Sequence, residues 1–359
     1  MRTAAALLVI TLAAAGCARP AEGPAPGPAL VYAKDGALYL SGPAGAAGRK
    51  ITDGPGDSEP APSPDGTRIA FVRRTEPAEA GPGQGGELWV LDLSRGRTPA
   101  GPPRRLVDPA ALVPTFDGEG PGRVVAPRWS PTGERIAFLK SAGGGGFLLT
   151  ADARTGSVAA PPQPLFADEG YAWSPAGQQI AWVGGRSDVS PVDVNVLAVG
   201  GASTVVAKDT NAFAISYDAD GRSLLFANGD ATGSLFTAIP FALRDGGIYA
   251  LDPPNPPVAL LKGGSFDDVT ALPSGTIAFT EWSADQRTKT IRVLEKPQQD
   301  RTLADTPADA PAPVWTGSGD SARIAYVGTG TDRPLLISDR DGKELGRVAG
   351  GADGFAWLP

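Results

Sequence analysis

The sequence predicts an all-β chain, a seven-bladed β-propeller of four-stranded blades, and three observations predict it. A short phrase recurs: Pro62-Ser63-Pro64-Asp65-Gly66-Thr67-Arg68-Ile69-Ala70-Phe71, then Trp129-Ser130-Pro131-Thr132-Gly133-Glu134-Arg135-Ile136-Ala137-Phe138, then Trp173-Ser174-Pro175-Ala176-Gly177-Gln178-Gln179-Ile180-Ala181-Trp182. Looser copies follow at 218–226, at 273–279 and from Trp315-Thr316 to Tyr326. Self-similarity at a period of roughly 40 to 50 residues marks a propeller or solenoid. Second, 48 glycines and 36 prolines stand beside 42% hydrophobic residues, a composition with turns in plenty and a core to bury. Third, the two ends complement each other. Residues 29–33, 37–40 and 49–52 read as the second, third and fourth strands of a blade without a first. Gly354-Phe355-Ala356-Trp357-Leu358-Pro359 reads as a first strand without the rest. A ring that pairs them leaves no open sheet edge. Six blades and a stray strand is the other count the sequence allows.

Before the propeller, Arg2 and the apolar run 4–15 read as an export signal, and Ala14-Ala15-Gly16 abut Cys17, the only cysteine. The arrangement resembles the lipobox of bacterial lipoproteins, which implies acylation of Cys17, with Ala14 standing where the usual pattern has Leu. An ordinary cleaved signal with an incidental Cys17 is the alternative. One cysteine allows no internal disulfide, so packing alone must hold the exported fold. Residues 18–28, rich in Pro, Gly and Ala, read as an extended tether of about 3 Å per residue, and 29–359 as the propeller.

Along the propeller, blade one takes its strands from Glu59, 68–73, 87–93 and 104–107. Further blades open near Ala126, Tyr171, Ala212, Asp268 and Ala312. Runs such as Leu88-Trp89-Val90-Leu91 and Ile248-Tyr249-Ala250-Leu251 carry strand-forming residues and end on Asp. Trp129, Trp173, Trp315 and Trp357 share one position at the end of a first strand and are expected to pack between blades.

The phrase Trp-Ser-Pro-x-Gly-x-x-Ile-Ala-Phe resembles the WD40-like repeats of TolB-type propellers, found in periplasmic proteins, bacterial lipoproteins and the propeller halves of prolyl oligopeptidase-type peptidases. The resemblance covers nearly all of the chain after Pro28 and implies fold far more than function. The sequence has no space for TolB's N-terminal α/β domain or for a peptidase domain, so neither activity is carried over.

Composition excludes several chemistries. There is no histidine, which removes Ser-His-Asp and Cys-His catalysis and imidazole metal ligation. A net charge of −7 opposes a nucleic-acid surface. Gly143-Gly144-Gly145-Gly146 lies between two strands rather than before a helix, and Asp218-Ala219-Asp220-Gly221 lacks the ligand spacing of a calcium loop. No cofactor and no metal is expected. A hydrolase acting through paired carboxylates is the enzymatic reading.

Loop lengths place the binding face. Insertions at 73–86, 108–123 and 228–246 all leave by the connections that emerge on one face of a propeller. In the last, Leu235, Phe236, Ile239, Phe241 and Leu243 offer an apolar contact for a partner; folding back over the blade is the alternative. Carboxylates recur at or before the first strands: Asp57 and Glu59, Glu119, Asp168 and Glu169, Asp209, Asp267 and Asp268, Asp309, and Asp353. Ringed about the channel mouth they would focus a negative potential and favour a cationic ligand; solubility and turn capping by Asp are the alternative, and the plainer one. The function expected is a membrane-anchored recognition scaffold in the cell envelope, with an unknown envelope protein as partner; small-ligand or carbohydrate binding at the channel mouth is the second reading.

Overall fold

The structure, a computed structural model, describes residues 28–42, 48–74, 85–112, 122–141, 146–185, 192–228, 246–296 and 299–359. Its strands follow one another in chain order. β1 (Ala29–Lys34), β2 (Ala37–Leu40) and β3 (Arg49–Lys50) come first. β4 (Asp57–Pro62), β5 (Arg68–Arg73), β6 (Glu87–Asp92) and β7 (Arg104–Arg105) make the next unit. β8 (Val124–Trp129), β9 (Arg135–Ser141), β10 (Gly146–Asp152) and β11 (Val158–Ala159) follow, then β12 (Phe166–Trp173), β13 (Gln179–Gly185), β14 (Asp193–Ala198) and β15 (Ser203–Ala207). The second half holds β16 (Ala212–Tyr217), β17 (Leu224–Asn228), β18 (Gly247–Leu251) and β19 (Val258–Lys262), and then β20 (Phe266–Ala271), β21 (Ile277–Trp282), β22 (Thr288–Lys296) and β23 (Gln299–Pro307). β24 (Val314–Thr316), β25 (Arg323–Val327), β26 (Pro334–Asp339), β27 (Glu344–Gly350) and β28 (Gly354–Leu358) end the chain.

Among the described residues these strands form five sheets of four and one of eight. The larger one is two successive units joined where Gly146 and Phe147 pair with Ala167 and Phe166; the two phenyl rings meet edge to face at 5.6 Å. The sheet predicted from the two ends is present: β28 pairs with β1 from Ala29↔Leu358 to Ala33↔Gly354, and β2 and β3 complete it.

The recurrent phrase is a turn with a buried serine. Ser63, Ser130 and Ser174 are almost wholly buried. Each hydroxyl accepts the backbone N–H five residues on, from Arg68, Arg135 and Gln179 at 3.0 to 3.1 Å. The glycine three places after the serine takes a left-handed backbone, +66° to +71° at Gly66, Gly133 and Gly177, which suits a residue without Cβ. The strand that follows is buried on both faces: Ile69, Ala70, Phe71 and Val72, and Ile136, Ala137, Phe138 and Leu139, are all fully enclosed.

The apolar residues lie between neighbouring sheets. Ala70, Val72, Leu88 and Val90 of one unit meet Trp129, Ile136 and Phe138 of the next. Equivalent clusters lie between each later pair of units, through Leu225 with Phe266 and Phe279, to Ile291 with Ile324 and Tyr326. Two more join the ends: Leu30, Tyr32 and Phe355 pack on Val327, Leu335 and Ile337, while Val31, Leu38 and Leu358 pack on Ile69, Phe71 and Leu91.

The tryptophans do more than fill space. Trp129 Nε1 donates to the Ala61 carbonyl (2.7 Å), Trp173 to Arg128 (3.0 Å) and Trp357 to Val314 (3.1 Å). In every case the acceptor stands one residue before the matching position in the preceding unit. Tyr217 holds the same position, but its buried hydroxyl has no partner. Burial pushes its phenol up to about 12. A raised phenol contributes stability that is complete below pH 10 and is lost as pH rises through its folded value. Tyr217→Phe removes an unsatisfied polar atom and keeps the ring. It is expected to leave stability at pH 7 equal or higher by up to about 1 kcal/mol, and to flatten the decline between pH 10 and 12 in urea titrations.

Candidate functional site

The first strands of five units share an irregularity. Register shifts interrupt β4, β8, β12, β16 and β20 just after they begin. The residue at the shift is left-handed in three of them: Glu59 (φ 50°), Ala126 (51°) and Asp268 (52°). A bulge of this kind bends a strand and re-aims the side chains after it. Four of these strands line a cavity of about 830 Å³, whose walls include Arg128 of β8, Tyr171 of β12, Phe213 and Ser216 of β16, and Asp267 to Thr270 of β20. Residues 310–313, before β24, also line it.

An ionic cluster forms part of its wall. Lys289, at the start of β22, places Nζ 2.9 Å from Asp267 Oδ2 and 3.2 Å from Asp268 Oδ2. The same ammonium lies 4.5 Å from the centre of the Trp282 ring. Asp267 Oδ1 accepts the Asp268 N–H (2.8 Å), which anchors the left-handed residue, and Thr280 Oγ1 donates to Asp268 Oδ2 (2.8 Å). The Lys289 side chain is 8% exposed, those of Asp267 and Asp268 24% and 17%. Burial and the adjoining Asp267 charge raise the Asp268 carboxyl above the carboxylate range, against Lys289 and Thr280. Burial would lower Lys289, but the Asp268 and Asp267 charges outweigh it and the ammonium is held above the lysine range. Across the cavity, the Arg128 guanidinium lies over the Tyr171 ring at 4.7 Å and donates to the Tyr171 carbonyl.

The predicted carboxylates are dispersed in role. Asp268, with Asp267, lines the cavity. Glu59 bridges two units, its Oε2 accepting the Ala126 N–H at 2.5 Å. Asp57 is buried and held bidentately by Arg73 at 2.6 and 2.8 Å. Asp309 pairs with Arg333 at 3.1 Å. Asp209 is exposed in the loop before β16, its N–H bound to Asp193 Oδ1. Asp353 is exposed before β28; burial and Asp35 raise its carboxyl, while Arg333 and Arg74 pull it down. Asp168 and Glu169 lie on β12. Glu119, the apolar set Leu235, Phe236, Ile239, Phe241 and Leu243, and Cys17 lie outside the described residues. The last connection leaves from Asn228, whose amide donates to Thr210 (3.2 Å) and accepts from Gly247 (2.7 Å).

Trp282, Gln286 and Lys289 escaped the sequence reading, although a signal existed. Trp282-Ser283-Ala284-Asp285-Gln286 is another copy of the turn phrase, placed between second and third strands instead of first and second. Its hydrogen bonds repeat the pattern, Ser283 Oγ donating to Asp285 (2.7 Å) and accepting the Thr288 N–H (3.1 Å), and Gln286 at φ 55° takes the glycine's place. The displaced copy turns at the cavity instead of at the opposite end of the sheet.

No cluster of three or more His, Cys, Asp or Glu residues suited to a metal occurs among the described residues. No helix among them is long and apolar enough to cross a membrane.

No family model and no curated protein matches this chain. Solved structures do. TolB from Acinetobacter baumannii is 19% identical over 92% of this chain, with a TM-score of 0.50, and the chain spans 66% of that protein. The tricorn protease is 12% identical over 89% of this chain and 33% of its own, with a TM-score of 0.60. The β-propeller domain of the Trilobed protease from Pyrococcus furiosus is 13% identical over 88% of both chains, with a TM-score of 0.52. At these identities the likeness is one of fold, and it extends to enzymes as well as to TolB.

Proposed function

From the premise that this chain forms a TolB-like β-propeller, we propose that it is an exported, lipid-anchored recognition scaffold of the bacterial cell envelope, working without catalysis at its channel mouth. The observation that carries this reading is convergence. The bulged strands that line the 830 Å³ cavity begin at the end of the molecule where the connections 75–84, 113–121, 142–145, 186–191 and 229–245 also arise. We read the sheets as seven blades in a ring closed by β28 on β1. Apolar clusters between each pair of neighbouring units, last with first included, support that reading.

The apolar run 4–15 and Ala14-Ala15-Gly16-Cys17 support acylation of Cys17 and anchoring on the extracytoplasmic face, with 18–28 as tether. The partner is an envelope protein that meets the loop-bearing face, with Phe236 and Phe241 as apolar contacts and the carboxylates of the mouth as its polar rim. In-cell cross-linking of the tagged chain tests it. One dominant envelope protein is expected to cross-link within 229–245 and to be lost in Phe236→Ser/Phe241→Ser, and Cys17→Ser combined with that double change is expected to release this chain from the membrane pellet. Cross-links spread without preference over many proteins would overturn the scaffold reading. Small-ligand binding at the mouth is the second reading, favoured by the convergence of polar side chains on the cavity.

A further inference from the structure

The acidic ring suggested a cationic ligand, but the cavity itself is charge-balanced. Asp267 and Asp268 face Lys289 and Arg128, two negative groups and two positive. Lys289 already bridges both carboxylates, so a ligand ammonium gains their attraction only by displacing it. A ligand carboxylate approaching Lys289 meets the Asp pair at the same range. An uncharged ligand meets neither penalty, and it avoids the desolvation cost of bringing in a charge.

Hydrogen-bonding capacity remains after this balance is struck. Among the described residues, nothing binds Asp268 Oδ1, the Trp282 Nε1–H or the Gln286 side-chain amide. Together they offer an acceptor, a donor and a group that does both. Hydroxyl groups, each donor and acceptor, match that mixture. Phe213 adds an apolar wall: it lies on β16 in the cavity lining and is 43% exposed, among the few large hydrophobic residues so exposed. A ring presenting C–H bonds on one face and hydroxyls at its rim meets both surfaces at once. The volume of about 830 Å³ lies within the roughly 300 to 1,000 Å³ of pockets that enclose small organic ligands.

We propose that this cavity is a subsite for an uncharged saccharide of two or three rings, with Phe213 and Trp282 as its aromatic walls and Asp268 and Gln286 as its hydroxyl partners. The proposal rests on reading the cavity as a binding site and is independent of the partner protein. Three probes of matched size and different charge test it against the full chain by calorimetry and tryptophan fluorescence: chitotriose (uncharged), its fully deacetylated trimer (cationic) and trigalacturonate (anionic). Chitotriose is expected to saturate the site with a Kd of about 1 mM or tighter, and each charged probe to bind at least about tenfold more weakly. Phe213→Ala and Gln286→Ala, both at solvent-accessible positions, are expected to weaken chitotriose about tenfold with unchanged melting temperature. Absence of saturable chitotriose binding, equal or tighter binding of a charged trimer, or full affinity in Phe213→Ala would each overturn it. Partner capture from membranes is scored separately, so loss of chitotriose binding with capture intact counts against the subsite alone.

Discussion

Lys289→Met is expected to destabilise the protein by about 3 kcal/mol at pH 7, read as a lower urea midpoint at unchanged slope. Removing one member of a buried ion pair strands the other, a change that typically costs about 3 to 5 kcal/mol. Here two carboxylates are stranded together, but at 24% and 17% exposure water relieves part of the penalty, which places the loss at the low end. The deficit depends on pH in a definite direction. Asp268 has a raised folded-state value, so protonating it favours the fold; its contribution is complete below the unfolded carboxyl value of about 4 and is lost as pH rises through the folded one. The variant is therefore expected to approach the parent as pH falls from 7 toward 4. A deficit of equal size at both pH values would show that lost packing on Trp282, not stranded charge, is responsible. In the parent, the raised Lys289 contributes stability that is complete below pH 10.5 and declines above it. Asp267→Asn combined with Lys289→Met is expected to recover a large part of the loss.

Removal of residues 354–359 is the second large effect, and it tests the closure directly. Leu358 is fully buried and Phe355 nearly so. Burial of each such side chain is worth about 1.5 to 3 kcal/mol, and the indole bond from Trp357 to Val314 adds about 1 kcal/mol. A loss of about 4 to 7 kcal/mol compares with a total stability of about 5 to 15 kcal/mol for a folded protein. The shortened chain is expected to lose its sharp thermal transition and to regain it on addition of a synthetic peptide of residues 352–359. A melting temperature unchanged by the truncation would mean that β1 holds its sheet without β28.

The strand plan was legible because it depends on short-range patterns. Continuous apolar runs such as Ile69 to Val72 and Ile136 to Leu139 mark strands buried on both faces, and Ser63 and Gly66 write their turn within a few residues. The seam was legible as well, because β1 to β3 lack the very strand that β28 supplies. The site was harder to read. Asp268 drew attention as one carboxylate in a series of like ones, yet what distinguishes it is a lysine 21 residues later and a left-handed bulge, neither of which its own neighbourhood announces. The negative ring read from spacing overlooked the cations facing it, Arg73 on Asp57 and Arg333 on Asp309. Arg73 lies on the neighbouring strand and Arg333 in the turn before β26, and only the fold brings them within reach. Trp282-Ser283 did announce itself as a copy of the repeat, but out of phase with the rest.

The joining of β1 to β28 has a consequence for how the chain comes into being. Ala29 waits for Leu358, so a polypeptide made amino end first completes its first sheet only when a strand more than three hundred residues further on has been made. Until then the edge of β1 that faces β28 is unsatisfied and open to the wrong neighbour. Pairing across so long a stretch is slow, in the range of milliseconds to seconds for β-rich folds. Such a chain stays threadable until β28 arrives and becomes locked only then.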